Sequence, residues 1–234
     1  MNNRPKEAFE NFKFFESQPG SDHIATFSSQ LNLLDLLTDI RCKAILDFGS
    51  GIGTLTKLVQ VLNVENVVSY ERSEWCKIQA LDNLRPFIPN YVTDLAQLPM
   101  IEAVCIDDQI SRKQINQLLR QPYLKVIFIE GWRNKTASQI SHRLVLHGHS
   151  ASFYRGKSRW NASWPFSLEL NQGEKAGCWF ILEKQNRVLA TLSWLRRVKS
   201  TGEIQEVCKE FFFWLSRNIK LRSRWANLRL KLLR

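Results

Sequence analysis

The sequence predicts an α/β protein in which a doubly wound, mostly parallel sheet is covered by helices on both faces and ends in a β-hairpin. Short apolar runs alternate with segments of helical periodicity from residue 24 to residue 146. The predicted strands are almost continuously apolar, which is typical of parallel strands buried on both sides. With 234 residues, 44% of them hydrophobic, the chain is large enough to form a packed core.

The elements can be assigned in order along the chain. Leu31, Leu34 and Leu37 have near-helical spacing, and Ser73 is a candidate N-cap for a later helix. We predict helices over residues 24–40, 54–62, 73–84, 111–120 and 136–146. We predict strands over residues 43–48, 66–70, 89–93, 103–106 and 125–129, followed by a terminal hairpin of residues 150–154 and 178–183 with a long loop over the ligand face.

Composition excludes several classes of protein. With only 10 glycines and 7 prolines the chain is neither collagen-like nor of low complexity, and it contains no apolar run of about 18 residues that could span a bilayer. Residues 1–19 lack the pattern of a secretory signal, so we expect a cytoplasmic protein. The five cysteines are widely spaced without a Cys-x-x-Cys pair, which indicates buried thiols instead of disulfides or a zinc site.

The net charge of +11 is concentrated at one end of the chain. Residues 187–234 contain 12 basic and 3 acidic residues, whereas residues 1–186 contain 21 and 19. We therefore predict an N-terminal segment (1–23), a catalytic-type domain (24–186) and a basic helical C-terminal extension (187–234).

Apolar and aromatic residues recur every three or four positions over residues 203–234, opposite a basic face. This amphipathic pattern favours an anionic membrane surface on the inner membrane face, to which the protein would bind peripherally. The alternatives are packing on the domain itself, a homodimer contact, and binding to nucleic acid, which we consider less favoured.

A glycine-rich loop is the sharpest motif of the sequence. It reads DFGSGIGT from Asp47 to Thr54 and lies between a predicted strand and a predicted helix. Alternating glycines allow a tight turn and a close approach of the backbone to a ligand, so we expect a nucleotide-like ligand. Thr54 stands where the dinucleotide fingerprint has its third glycine, and the Gly-Lys-Ser/Thr end of a phosphate-binding P-loop is absent.

The order acid-x-Gly-x-Gly-x-Gly, from Asp47 to Gly53, resembles motif I of the class I S-adenosylmethionine-dependent methyltransferases. The resemblance covers residues 24–185 and is strongest over residues 44–71. It implies a Rossmann-like fold, S-adenosyl-L-methionine as cofactor and methyltransferase activity.

The resemblance also implies roles for the acids that follow the strands. Glu71 would accept the two ribose hydroxyls, Asp94 would meet the adenine amine, and Asp107 would lie near the methyl-transfer site. A carboxylate suits a vicinal diol because its two oxygens can accept both O–H donors. The implied cofactor-binding residues are Asp47, Phe48, Gly49, Ser50, Gly51, Gly53, Glu71, Arg72, Asp94, Leu95 and Asp107.

Candidate catalytic bases are Asp107, Asp108 and Glu130, because the fourth and fifth strands end at the same edge of the sheet as the glycine loop. Metal-dependent relatives carry an Asp-Asn pair after the fifth strand, which this chain lacks, so we expect no metal. A divalent ion held by these carboxylates is the alternative.

The sequence also bears on the methyl acceptor. Residues 107–110 (DDQI) do not resemble the Pro-Pro tetrapeptide of amino-directed DNA methyltransferases, and no cysteine follows a proline as in the cytosine-directed class. We expect O- or N-methylation of a small-molecule, glycan-linked or lipid-linked acceptor. There are two alternatives. One is a non-catalytic binding protein that retains the cofactor fold, and the other is an RNA-directed methyltransferase.

Overall fold

The structure is a computed structural model, and it describes residues 4–62, 64–131, 133–156 and 176–185. The long loop of the predicted hairpin and the basic extension of residues 187–234, with its amphipathic pattern, lie outside the described residues. In the described ranges, no helix has the length and apolar character needed to cross a bilayer.

The described strands form one seven-stranded sheet in the order β3-β2-β1-β4-β5-β7-β6. Strands β1 to β5 pair in parallel, whereas β7 runs antiparallel to both β5 and β6. The predicted fold class and the terminal hairpin are therefore confirmed. The strands are β1 (Ala44–Phe48), β2 (Asn66–Tyr70), β3 (Asn90–Tyr91), β4 (Ala103–Ile106), β5 (Val126–Ile129), β6 (His149–Arg155) and β7 (Cys178–Gln185).

Three of the helices begin at a side-chain cap. Thr26, Ser73 and Ser111 each accept a hydrogen bond from a backbone N–H in the first turn, so the predicted cap at Ser73 is confirmed. The helices are α1 (Arg4–Glu16), α2 (Phe27–Asp39), α3 (Thr54–Gln60), α4 (Glu74–Asn83), α5 (Arg112–Leu118) and α6 (Asn134–Leu146), with short 3₁₀ helices at Ser21–His23 and Leu95–Gln97.

Two hydrophobic cores lie on opposite faces of the sheet. Because successive side chains of a strand point to opposite faces, Ile45 of β1 packs beneath α1, α2 and α3, whereas Leu46 and Phe48 pack on the face covered by α5 and α6. Helix α1 lies within the predicted N-terminal segment and buries Phe12 and Phe15 completely in the same core as α2.

The sheet topology determines where a ligand can bind. From β1 the chain crosses to β2 on one side, and β4 pairs with β1 on the other side. This reversal opens a crevice beyond the carboxyl end of β1, which is the usual ligand site of an open α/β sheet. The glycine loop follows β1 directly and therefore lies at this crevice.

Candidate functional site

The three loop glycines have different surroundings. Gly49, Gly51 and Gly53 all have positive φ angles, of 86°, 53° and 98°. A Cβ added at Gly49 would lie 2.5 Å from the Cβ of Asp108, and one added at Gly53 would lie 3.0 Å from the Leu84 side chain. A Cβ added at Gly51 would meet no atom within 4 Å. Packing within the protein therefore requires Gly49 and Gly53, whereas Gly51 borders open space.

Backbone hydrogen bonds fix the start of the loop to the end of β2. The Gly49 and Ser50 N–H groups both donate to the Tyr70 carbonyl, at 2.8 and 3.3 Å. The Phe48 ring stacks on the Tyr70 ring with a centroid separation of 4.6 Å and is fully buried. Phe48 thus supports the loop from the core below it, so that its side chain is part of the scaffold.

The Glu71 carboxylate is held beside Gly51 by three backbone donors. Its Oε2 accepts from the Gly51 N–H at 2.8 Å, and its Oε1 accepts from the N–H groups of Arg72 and Ser73, each at 2.8 Å. An ionised carboxylate has about four acceptor positions, so these donors fix its plane and leave acceptor capacity for a ligand hydroxyl. The structure brings the predicted ribose-binding acid to the glycine loop.

Asp47 is buried beneath the loop and is 1% exposed. Its Oδ2 accepts from the Thr56 hydroxyl at 2.7 Å, but its Oδ1 has no hydrogen-bond partner among the described residues. Burial raises the pKa of Asp47 from 3.8 to about 6, opposed by the Thr56 hydrogen bond, while the nearby charge of Glu71 raises it further. A buried carboxylate oxygen without a donor matches a ligand that carries N–H groups or positive charge.

Asp107 and Glu130 lie side by side at the ends of β4 and β5. The register pairs Ile106 with Ile129, which places the two following acids next to each other. The Asp107 side chain is 15% exposed and Glu130 is 9% exposed. The structure therefore brings two of the three predicted catalytic acids together at the rim of the crevice.

Arg133 contacts this pair, with its Nη2 2.5 Å from Asp107 Oδ1. Burial raises the pKa of Asp107 well above its ordinary value, and the charge of Glu130 adds to the rise, whereas Arg133 opposes it. The predictions did not include Arg133, because it follows β5 by four residues and belongs to no motif. The sequence does contain one indication of such a residue. Two acids that follow neighbouring strands lie close together and need a cation nearby.

Asp108, the third predicted catalytic acid, is engaged elsewhere. Its Oδ2 accepts from Arg72 Nη2 at 2.6 Å and from Arg72 Nε at 3.0 Å, and its Oδ1 accepts from the Gln109 N–H. The ion pair links the ends of β2 and β4 across the end of β1. Asp108 and Arg72 thus form one wall of the crevice, and both oxygens of Asp108 have partners.

Asp94 and Leu95 lie at the far side of the crevice, after β3. The Asp94 carboxylate caps the short helix Leu95–Gln97 by accepting from the Ala96 N–H at 2.9 Å, and it accepts from Gln117 Nε2 at 3.4 Å. Leu95 is 3% exposed and packs into the core. In the described part of the chain, no group of three or more His, Cys, Asp or Glu side chains could hold a metal ion.

Comparison with known proteins identifies the fold. The chain matches no protein-family model and no curated protein sequence. Among solved structures, a candidate RNA methyltransferase from Pyrococcus horikoshii is 13% identical with a TM-score of 0.52, and 78% of this chain and 97% of that chain are covered. A protein of Thermoplasma acidophilum is 11% identical with a TM-score of 0.51, at 76% and 97% coverage.

A third solved structure, the precorrin-6y C5,15-methyltransferase of Geobacter metallireducens, is 17% identical with a TM-score of 0.52, and 69% of this chain and 90% of that chain are covered. At these identities the likeness establishes the fold. The chain has the fold of the class I S-adenosylmethionine-dependent methyltransferases, as the glycine loop and Glu71 predicted.

Proposed function

We propose that this protein is an S-adenosylmethionine-dependent methyltransferase that modifies an oxygen or nitrogen of a small-molecule, glycan-linked or lipid-linked acceptor. The observation that carries the proposal is the placement of the Glu71 carboxylate against the Gly51 N–H, where the loop borders open space. A vicinal diol presents two O–H donors, and a carboxylate fixed at the end of β2 is the acceptor that such a diol needs.

The described residues fit the cofactor at three points. Glu71 would accept a ribose hydroxyl at the acceptor position that its backbone donors leave, Gly51 would allow close approach of the ligand, and the unpartnered Oδ1 of Asp47 would accept from the ammonium group of the methionine part. Asp94 and Leu95 would border the adenine. When bound, the cofactor supplies a methyl group on a positively charged sulfur.

The remaining residues of the crevice would act on the acceptor. Methyl transfer requires chiefly that the acceptor atom be held in line with the methyl group and that its proton be removed. Asp107 and Glu130 lie at the rim next to the loop and would receive that proton. Arg133 orients Asp107, and the Arg72–Asp108 ion pair forms a wall of the crevice.

The proposed location rests on the basic extension. Its aromatic and basic pattern over residues 203–234 supports peripheral binding to the cytoplasmic face of an anionic membrane, which would suit a lipid-linked acceptor. Flotation of the full chain with anionic and with neutral vesicles tests this part. We expect binding to anionic vesicles that falls with added salt, and equal flotation with both vesicle types would contradict it.

Calorimetric titration of the full chain with S-adenosylmethionine tests the proposed activity through its cofactor. Glu71→Ala removes the proposed ribose acceptor, and since hydrogen bonds to a charged group contribute about 1.5–3 kcal/mol, affinity should fall roughly tenfold or more. Glu65→Ala is the matched control, because Glu65 is an exposed acid next to the opposite end of β2. Unchanged affinity in Glu71→Ala, or no binding by the wild-type chain, would contradict the proposal.

A further inference from the structure

The outward face of α4 carries large apolar side chains that the domain leaves exposed. Trp75, Ile78 and Leu81 recur at every third position, and Ile78, at the middle of this face, is 56% exposed. The other side of the helix packs into the core through Ala80 and the capping residue Leu84. Single exposed apolar residues are normal, but three on one side of a ten-residue helix indicate a surface that binds a partner.

Charged side chains border this apolar face in an alternating order. Glu74 pairs with Lys77 at 2.6 Å, and Asp82 pairs with Arg85 at 2.7 Å. From residue 74 to residue 85 the signs are negative, positive, negative and positive, so the net charge is zero. An anionic membrane or a nucleic acid is attracted by an excess of cations. The charges of this face favour instead a partner whose own charges alternate.

A second copy of α4 has its charges in such an order. In an antiparallel pair of these helices, with the two-fold axis between residues 79 and 80, each position faces the position at the same distance on the other side of the axis. Glu74 then lies opposite the partner's Arg85, and Lys77 lies opposite the partner's Asp82. Every charge gains an opposite charge and keeps its neighbour in its own chain. A parallel pair would place like charges opposite each other, so the pattern favours the antiparallel orientation.

The apolar residues follow the same register. Ile78 lies opposite the partner's Leu81 on each side of the axis, so these four side chains form the centre of the contact. Trp75 lies further out and is already packed, because a Cβ added at Gly20 would lie 2.8 Å from Cη2 of its indole and 3.1 Å from Cγ2 of Ile52. Since the indole contacts the segment before α2, little conformational freedom is lost when a partner covers it.

We propose that the outward face of α4 is a dimer interface, at which two copies of this chain pair antiparallel through Ile78, Leu81 and the alternating charges. This interface goes beyond the proposed function and does not depend on a cofactor. One helix of ten residues, about 15 Å long, is small for a protein interface, so we expect a dimer that dissociates on dilution. The interface begins beside the crevice, because Ser73, the N-cap of α4, donates its N–H to Glu71.

Sedimentation velocity of the full chain over a range of concentrations measures this association. We expect a monomer–dimer equilibrium in the wild-type chain. Ile78→Glu should raise the dissociation constant about tenfold or more, since the substitution acts twice in a symmetric contact. Met100→Glu is the matched control, because Met100 is also 56% exposed but lies before β4, and it should associate as the wild-type chain does. Thermal unfolding checks that both variants fold.

Charge exchange tests the register of the two helices. Glu74→Arg and Arg85→Glu each place like charges opposite each other, so each variant alone should associate more weakly than the wild-type chain. A mixture of the two variants restores opposite charges at both ends of the contact, so it should form mixed dimers more readily than either variant pairs with itself. The double variant Glu74→Arg/Arg85→Glu should recover association for the same reason. Association through residues 187–234 does not predict this recovery.

The proposed α4 interface is wrong if the wild-type chain stays monomeric at every concentration. A dimer that Ile78→Glu leaves unchanged would place the contact on another surface. Single charge variants that show no recovery when they are mixed would contradict the antiparallel register and, with it, the proposal. Weaker flotation of Ile78→Glu with lipid vesicles, in a chain that is monomeric, would assign the face to a lipid surface instead.

Discussion

The backbone N–H of Gly51 donates to Oε2 of Glu71 at 2.8 Å, which ties the open glycine of the loop to the acid at the end of β2. Twenty residues separate the two in sequence, so the bond depends on the parallel pairing of β1 with β2. The other two loop glycines face Asp108 and Leu84 instead of open space. The loop thus has one position for a ligand and two positions that the fold itself requires.

Substitution of Gly51 should affect ligand binding more than folding. In Gly51→Ala the new Cβ points into open space but takes a φ of 53°, which costs about 1–2 kcal/mol for a residue with a side chain. Gly131→Ala is a matched control, because Gly131 has a φ of 66° and equally open surroundings. Calorimetry should show a loss of S-adenosylmethionine affinity of tenfold or more in the first variant only. Equal affinity in both variants would contradict the assignment.

Gly49→Ala should act mainly on stability. The added Cβ would lie 2.5 Å from the Asp108 Cβ and 2.8 Å from its backbone nitrogen, so the chain after β4 must move. Together with the positive φ, we expect a loss of about 2–4 kcal/mol in the free energy of unfolding. Urea denaturation measures it. If Gly49→Ala lowers the free energy of unfolding no more than Gly131→Ala does, the segment after β4 can move at little energetic cost.

Asp47→Asn should make the protein more stable at neutral pH. Folding raises the pKa of Asp47 from 3.8 to about 6, so the folded protein binds more protons than the unfolded chain between these two pH values. The contribution of Asp47 to stability is therefore lost as pH rises through about 6. The variant should gain on the order of 2–3 kcal/mol relative to the wild-type chain above that pH. Thermal unfolding across the acid range measures the difference, which should shrink as pH falls toward 4.

The same substitution should weaken cofactor binding, since Oδ1 of Asp47 would lose its charge. A variant that is both less stable above pH 6 and equal in affinity for S-adenosylmethionine would show that Asp47 is a structural acid. In that case the role of Asp47 would be structural, through the neighbouring hydroxyls of Thr56 and Ser69, which lie 3.0 Å apart.

Helix α1 should be necessary for full stability. Phe12 is fully buried in the core shared with α2, so Phe12→Ala should cost about 3–5 kcal/mol in the free energy of unfolding. Phe14→Ala is a suitable control, because Phe14 lies on the same helix and is 36% exposed. Urea denaturation of both variants measures the contrast, and equal losses would contradict the packing of α1.

The sequence was sufficient to predict the order of strands and helices from β1 to β7. Strands β1, β2, β4 and β5 are short, largely apolar runs, each followed directly by a glycine or an acid, so their ends are marked locally. Helix α1 was not predicted as part of the core. Its buried residues Ala8, Phe12 and Phe15 are interspersed with the more exposed Phe9 and Phe14, which blurs the helical period.

The candidate site was predictable wherever a motif or a strand end marks it. Asp47, Gly51 and Glu71 converge as expected, because the carboxyl ends of parallel strands meet at one edge. The separate roles of the glycines were not predictable, since Asp108 and Leu84, which approach Gly49 and Gly53, are distant in sequence. For the same reason the partners of Asp108 and Asp107, Arg72 and Arg133, became apparent only in the fold.

A crystal structure of the full chain with S-adenosylhomocysteine tests the central assignment most directly. We expect the ribose diol to lie within hydrogen-bond distance of the Glu71 carboxylate, the ammonium group to lie near Asp47 Oδ1, and the sulfur to point toward Asp107 and Glu130. An adenosyl group bound away from Gly51 and Glu71, or a diol held by other residues, would contradict it.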